Sequence, residues 1–278
     1  MSDAFTMVLF IDIDGTIRDY TRGIIPSAVA AMKRAREKGH ILILCTGRSV
    51  GMIPRDVPME LFDGAVTGGG CSAVYRGEVL RDAAIDPAVA ARYRTYFEEN
   101  ACPYGFETKL GIFMTHELSE IYRYALFAGE DPAKSDKPGL RSESIRLDMT
   151  IEDYDRISPP VTKLSFCLDR AQNESFNVDS SLSMIRYGGA PNGLVHCEMV
   201  AKHCDKGSAL RMLCEREGFA IEDTAAFGDS MNDAAMFAAA GTAVCMGNGS
   251  PDAKEFADDV SDTHLSGGFD KALKKLGI

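Results

Sequence analysis

Nowhere in the 278 residues is there an uninterrupted apolar run of the ~20 residues that a membrane-spanning helix needs. A membrane partner is therefore not expected. Positive charge is also in deficit: 30 Lys and Arg against 41 Asp and Glu leave a formal net charge of −11. Binding to nucleic-acid phosphates or anionic lipid rests largely on Lys and Arg neutralisation, so neither is an expected partner. Of the eight cysteines none forms a C-x-x-C pair, and Cys45, Cys167 and Cys245 lie in apolar, strand-like runs, which reads as reduced, buried thiols. One His/Cys pattern remains, His196-Cys197 followed by His203-Cys204. Its spacing is not that of a common zinc site, and the alternation over 194–199 reads as a strand. The chain opens with no basic leader, apolar core and cleavage pattern, so a cytoplasmic protein, monomeric or a small homo-oligomer, is expected. Repeats and low-complexity segments are absent as well.

What is present is ordinary globular material, 45% apolar and 26% charged, long enough for a core domain with a second, smaller one. Short apolar runs rich in β-branched residues recur, each followed by a turn and a helix-period segment, the pattern of parallel strands with crossover helices. Strands are expected at 7–11, 41–45, 65–67, 225–227 and 242–246. A helix over 26–38 places Ala28, Val29, Met32 and Ala35 on one face and ends at Gly39, a residue suited to the C-cap. The charge run from Lys33 to Lys38 is then its solvated face. From about 82 to 192 long polar connections and the Ser158-Pro159-Pro160 break change the pattern. The expected fold is α/β: a Rossmann-like parallel-sheet core from 1–81 and 193–278, with 82–192 an inserted α+β cap. Tyr104, Phe106, Phe113 and Tyr122 read as cap core, with a pocket lining as the alternative.

Open parallel sheets bind ligands beyond the carboxyl ends of their strands, and those ends carry acids here. The first strand runs into Asp12-Ile13-Asp14-Gly15-Thr16, the second into Thr46-Gly47-Arg48, and a later one into Gly228-Asp229-Ser230-Met231-Asn232-Asp233. Asp12 and Asp14, two apart, point the same way in extended chain, and Gly15 permits a sharp turn after them. Two unit charges 4 Å apart repel by roughly 4 kcal/mol at an effective dielectric of 20. A hard divalent cation such as Mg2+, which prefers carboxylates, waters and a substrate phosphate, resolves that conflict with Asp12 and Asp229. A lone D-x-D also suits a loop turn or a glycosyltransferase metal site, but those readings leave Lys206 and the Asp229 block unexplained.

Together, Asp12-Ile13-Asp14-Gly15-Thr16, Thr46-Gly47-Arg48, Lys206-Gly207 and Gly228-Asp229-Ser230-Met231-Asn232-Asp233 resemble the haloacid dehalogenase-like superfamily, and specifically its Cof-type phosphatases. The motifs fall in family order, Met246-Gly247-Asn248-Gly249 with Lys254 and Ala257-Asp258 looks like the Cof-type C-terminus, and the insert lies where this group places its cap. The resemblance implies hydrolysis of a small-molecule phosphate ester, with Asp12 as the nucleophile that forms an aspartyl-phosphate and Asp14 as the acid that protonates the leaving oxygen. It implies that Thr46, Gly47 and Arg48 contact the phosphoryl group and that Lys206 offsets its charge. Asp229 is expected to bind the metal directly, Asp14 through its backbone carbonyl with the carboxylate left free, and Asp233 and Asn232 to orient the metal's waters or the phosphate. A phosphomutase and a catalytically idle phospho-ligand-binding protein are the competing readings. The chain departs from its relatives at Thr67-Gly68-Gly69-Gly70-Cys71, where Asn-Gly-Ala is common, which puts their substrate contacts at that place in doubt.

Overall fold

The short apolar runs assemble into one eight-stranded sheet in a computed structural model that describes residues 6–187 and 193–278. The opening residues 1–5 and Asn192, the expected end of the insert, lie outside the described residues. In spatial order the strands are Asp259–Val260, Thr242–Cys245, Thr224–Gly228, Val8–Ile11, Ile41–Cys45, Gly64–Thr67, Ser72–Tyr75 and Glu78–Asp82. The first six run parallel, and the last two add on antiparallel. Val8–Ile11 and Ile41–Cys45 are almost wholly buried because helices cover both faces, which is why they read as continuous apolar runs rather than alternating ones.

The helix Pro26–Glu37 buries Ala28, Ala31, Met32 and Ala35 against Leu9, Ile11 and Phe227. Val29, expected on that face, lies at its partly buried edge. Pro26 begins the helix where its missing N–H costs nothing. The end is closed by Gly39 and His40, whose N–H groups donate to Arg36 and Ala35 carbonyls. On the other face Lys206–Glu217 sets Ala209, Leu210 and Leu213 against Val8, Phe10 and Ala226. Each fully buried large side chain stabilises the fold by roughly 1.5–3 kcal/mol relative to its exposed state, so these two faces lock the strand ends in place.

The insert builds a second, all-antiparallel sheet, in the order Leu182–Arg186, Val195–Ala201, Lys163–Leu168, Tyr104–Thr108 and Gly111–Met114. Val195–Ala201, assigned to the core in the reading 193–278, pairs with Lys163–Leu168 on one side and Leu182–Arg186 on the other. Its sheet is the insert's, because its alternating pattern suits a half-buried antiparallel strand and not the buried parallel core. One face of this sheet packs Phe106, Leu164, Phe166 and Met199 against Tyr93 and Phe97 of the helix Pro87–Glu99. Tyr104 and Phe106 belong to that core, Phe113 packs on Tyr154, and Tyr122 faces elsewhere. Among the described residues no helix is long and apolar enough to cross a membrane.

Candidate active site

Val8–Ile11 lies between Thr224–Gly228 and Ile41–Cys45, so the chain leaves it toward one side and returns on the other, and the loops beyond its end part to form a crevice. Asp12, Asp14, Thr46, Gly47, Arg48, Asp229 and Asn232 line that crevice, a cavity of about 580 Å³. Lys206 and Asp233 lie behind its wall, fully buried. All the expected site residues thus gather at one edge.

Lys206 is the first residue of its helix, and its Nζ donates to Asp12 Oδ1 at 2.7 Å and to Asp233 Oδ1 at 2.6 Å. The second oxygen of Asp233 accepts the backbone N–H groups of Asp229 and Ser230, both at 3.0 Å. That carboxylate is consumed in holding the Asp229 loop to Lys206. Asp229 turns toward Gly15, and Asn248 Nδ2 bridges them, donating to Gly15 O at 2.9 Å and to Asp229 Oδ2 at 3.2 Å. Gly15 has φ +74, and a Cβ there would lie 2.0 Å from Asp229 Oδ2. Both the left-handed backbone and the close approach require glycine.

Asp12, Asp229 and Asp233 bring carboxylate oxygens within 4.8 Å of one another, the one such group among the described residues. Burial drives the Asp12 carboxyl well above the ordinary aspartate range, against the pull of Lys206, and Asp233, Asp229 and Asp14 add to the rise. Burial and Asp233 likewise push Asp229 up to about 7. Burial works against the Lys206 charge too, but Asp12 and Asp233 outweigh it and raise its pKa. One ammonium is thus insufficient for two buried acids and a half-buried third. The donor set is all hard oxygen, which suits a hard divalent cation. His196, Cys197, His203 and Cys204 form no such group among the described residues.

Asp14 stands apart from this cluster, and its carboxylate is not free as expected. Arg48 grips it as a fork, Nε to Oδ2 at 2.6 Å and Nη2 to Oδ1 at 2.9 Å. The other Arg48 donors go to Met52 O at 2.9 Å and to Glu143 at 2.5 and 3.1 Å. Its five N–H groups are therefore all spent on protein, and a phosphate contact by Arg48 would need one of them to break. Glu143 comes from the insert and also lies 3.5 Å from Arg18, which is wholly buried against Asp56, Gly139 O and Ser142. Neither Glu143 nor Arg18 belongs to a recognisable motif, so the sequence carries no signal for this pair.

Thr46 Oγ1 accepts from the Arg48 N–H at 3.1 Å, Gly47 O accepts from Lys163 Nζ of the insert at 3.2 Å, and Asn232 lies against Gly47, where a Cβ would stand 3.0 Å from Nδ2. The three glycines 68–70 all have positive φ, and their N–H groups at 68 and 69 donate to the Arg48 and Thr46 carbonyls. They brace the 46–48 turn from behind and do not line the cavity. From the insert, Glu107, Tyr122, Lys163, Tyr187, His196 and Glu198 form the far wall.

Comparison with known proteins agrees with this geometry. A family model described as haloacid dehalogenase-like hydrolase matches residues 9–273. YkrA of Bacillus subtilis is 24% identical over 98% of each chain. The HMP-PP phosphatase of Citrobacter koseri is 26% identical over 86% of this chain and 84% of its own. Among solved structures, BT1666 of Bacteroides thetaiotaomicron, from a study of phosphatases of the haloalkanoate superfamily, superposes with a TM-score of 0.79 at 23% identity, covering 99% of this chain and 97% of that one. The subclass IIB sugar phosphatase BT4131 gives the same TM-score and identity over 98% and 99%.

Proposed function

The chain belongs to the haloacid dehalogenase-like hydrolases, and from that premise we propose that it is a magnesium-dependent phosphatase acting on a small phosphomonoester through an aspartyl-phosphate. The observation that carries this reading is the buried Lys206 bridging Asp12 and Asp233, with Asp229 completing an oxygen cluster in which three carboxylates meet one ammonium, two positive charges short of balance. Magnesium held by Asp12 and Asp229 would supply that charge and draw off the negative charge of the transferring phosphoryl group. Asp12 is held at the end of its strand by its N–H donating to Phe227 O at 3.0 Å and by Lys206 on one oxygen. Its other oxygen attacks phosphorus, forming the Asp12–phosphorus bond as the ester oxygen leaves. Asp14 gives that oxygen a proton, then takes one from the water that splits the acyl-phosphate and restores Asp12. Arg48 fixes where the Asp14 oxygens lie, and one of them must turn from the guanidinium to reach the leaving group. Thr46 and the Gly47 turn border the phosphoryl site. The five-stranded sheet of the insert acts as the cap that closes over it, with Glu143 and Lys163 as its contacts to Arg48 and Gly47.

Release of inorganic phosphate from p-nitrophenyl phosphate tests the reading. Excess chelator should abolish it and magnesium restore it. Full turnover in chelator, or restoration by zinc alone, sinks the assignment.

A further inference from the structure

The cavity wall opposite Asp12 has a chemistry that phosphoryl transfer leaves unused. Along Lys163–Leu168, Leu164, Phe166 and Leu168 enter the insert's aromatic core, so Lys163, Ser165 and Cys167 point to the other face, because strand side chains alternate. The register sets Lys163 opposite Glu107 and Ser165 opposite Glu198. Lys163 Nζ donates to Glu107 Oε1 at 3.0 Å, to Glu198 Oε1 at 2.9 Å and to Gly47 O at 3.2 Å. An ammonium has three donors, and all three are spent. Arg48, the other Lys or Arg lining the cavity, is spent in the same way on Asp14, Met52 and Glu143. Burial keeps His196 toward its neutral form, opposed by Glu198. Beyond the phosphoryl site the cavity therefore offers no unpaired cation among its described lining residues.

It offers acceptors instead. Glu107 Oε2 is buried and has no hydrogen-bond partner, a costly state that calls for a donor. Glu198 Oε2 accepts from Tyr187 OH at 3.0 Å, and Ser165 Oγ lies 2.6 Å from Tyr122 OH and 2.9 Å from His196 Nε2. Two carboxylates against one ammonium leave this wall negative or, with Glu107 protonated, neutral. Next to it Ile121, Ala125, Leu126 and Ile145 form an apolar shelf.

We infer that the substrate's leaving group carries hydroxyl or amino donors toward Glu107 and Glu198, lays an apolar face on the Ile121–Ile145 shelf, and bears no anionic group of its own. This rests on the phosphatase reading and adds the charge rule to it. A polyol and an amino-substituted ring both supply that chemistry, whereas a second phosphate or a carboxylate at the far end meets two glutamates and no free cation.

The test pairs esters of one skeleton: a hexose 6-phosphate against its 1,6-bisphosphate and its 1-carboxylate, with an amino-substituted heterocyclic monophosphate as a separate arm. Turnover of p-nitrophenyl phosphate by the same preparation judges the phosphatase reading alone. Because an anion brought against two carboxylates is repelled, kcat/KM for the uncharged leaving group should exceed that for its anionic partner by about 100-fold or more. The stronger of the hexose and heterocycle arms names the donor source. Glu198→Gln, which keeps the shape and removes a charge, should narrow the ratio by about ten-fold, chiefly through KM. Equal or preferred turnover of the anionic esters overturns the inference, as does an unchanged ratio in a folded Glu198→Gln protein. Should that variant not fold, the wild-type ratio decides by itself.

Discussion

The cavity has two walls built by different rules. On the core side the groups given chemical work follow a strand end or open a helix: Asp12 after Val8–Ile11, Thr46 after Ile41–Cys45, Asp229 after Thr224–Gly228 and, behind the wall, Lys206 at the start of its helix. On the insert side Glu107, Lys163 and Glu198 sit within strands and meet through cross-strand register. Backbone termini hold the first set, so it tolerates little movement. The second is a sheet face whose side chains can change without rebuilding the strand ends of the first, which it touches here through Lys163 on Gly47 O. In the proposed account the first wall reacts and the second selects.

The comparison breaks most severely at Lys206. Lys206→Met leaves Asp12 and Asp233 without their shared cation in a fully buried site. Turnover of every ester, activated or not, should fall roughly 10²- to 10³-fold, and denaturant unfolding should show a loss of about 3–5 kcal/mol. A variant with wild-type turnover would remove Lys206 from the chemistry.

A smaller effect is expected where the two walls touch. Glu143→Gln keeps a hydrogen-bonding group beside Arg18 and Arg48 but removes the charge that draws both. Stability should drop by about 1–3 kcal/mol. The rate on an unactivated ester should drop by about ten-fold, equivalent to 1.4 kcal/mol, and less on an aryl phosphate, because the contact acts through Asp14. Equal losses on both esters would mean that Glu143 only holds the insert down.

The mildest prediction sits on the far wall. Burial, opposed by Lys163 and reinforced by Glu198, pushes Glu107 up to about 7 from an ordinary 4.5, while Lys163 and His196 overcome burial to hold Glu198 low. Between those values the folded state keeps a proton that the unfolded chain has released, so stability falls as pH rises from about 4.5 to about 7. Glu107→Gln should remove up to about 1.4 kcal/mol per pH unit of that slope. Parallel Tm–pH curves for the two proteins would place the titration elsewhere.

The difference between the walls also explains what could be read from the residues alone. The parallel strands, the helices that start at Pro26 and Lys206, and the two loops that carry the four acids were legible, because apolar runs and short motifs are local. The boundary expected at 193 leaves Val195–Ala201 with the core, whereas it pairs within the five-stranded sheet, since alternation specifies a half-buried strand but not its neighbours. The trio of Glu107, Lys163 and Glu198 was invisible because its members lie 56 and 35 residues apart and meet only once the strands pair. Glu143 lies in a stretch that reads as a polar connection, and the Arg48 fork on Asp14 has no signal in the sequence, because donor counts become visible only with partners in place.

The central claim is that Asp12, on the core wall, makes the covalent bond. The most direct measurement takes Asp14→Asn, in which hydrolysis of the intermediate should be slow, mixes it with magnesium and an activated aryl phosphate, quenches in acid and maps the phosphoryl group by mass. The account predicts the label on the peptide carrying Asp12, and none when Asp12→Asn is added to the same protein. Label on another residue, or undiminished turnover with no label, would contradict it.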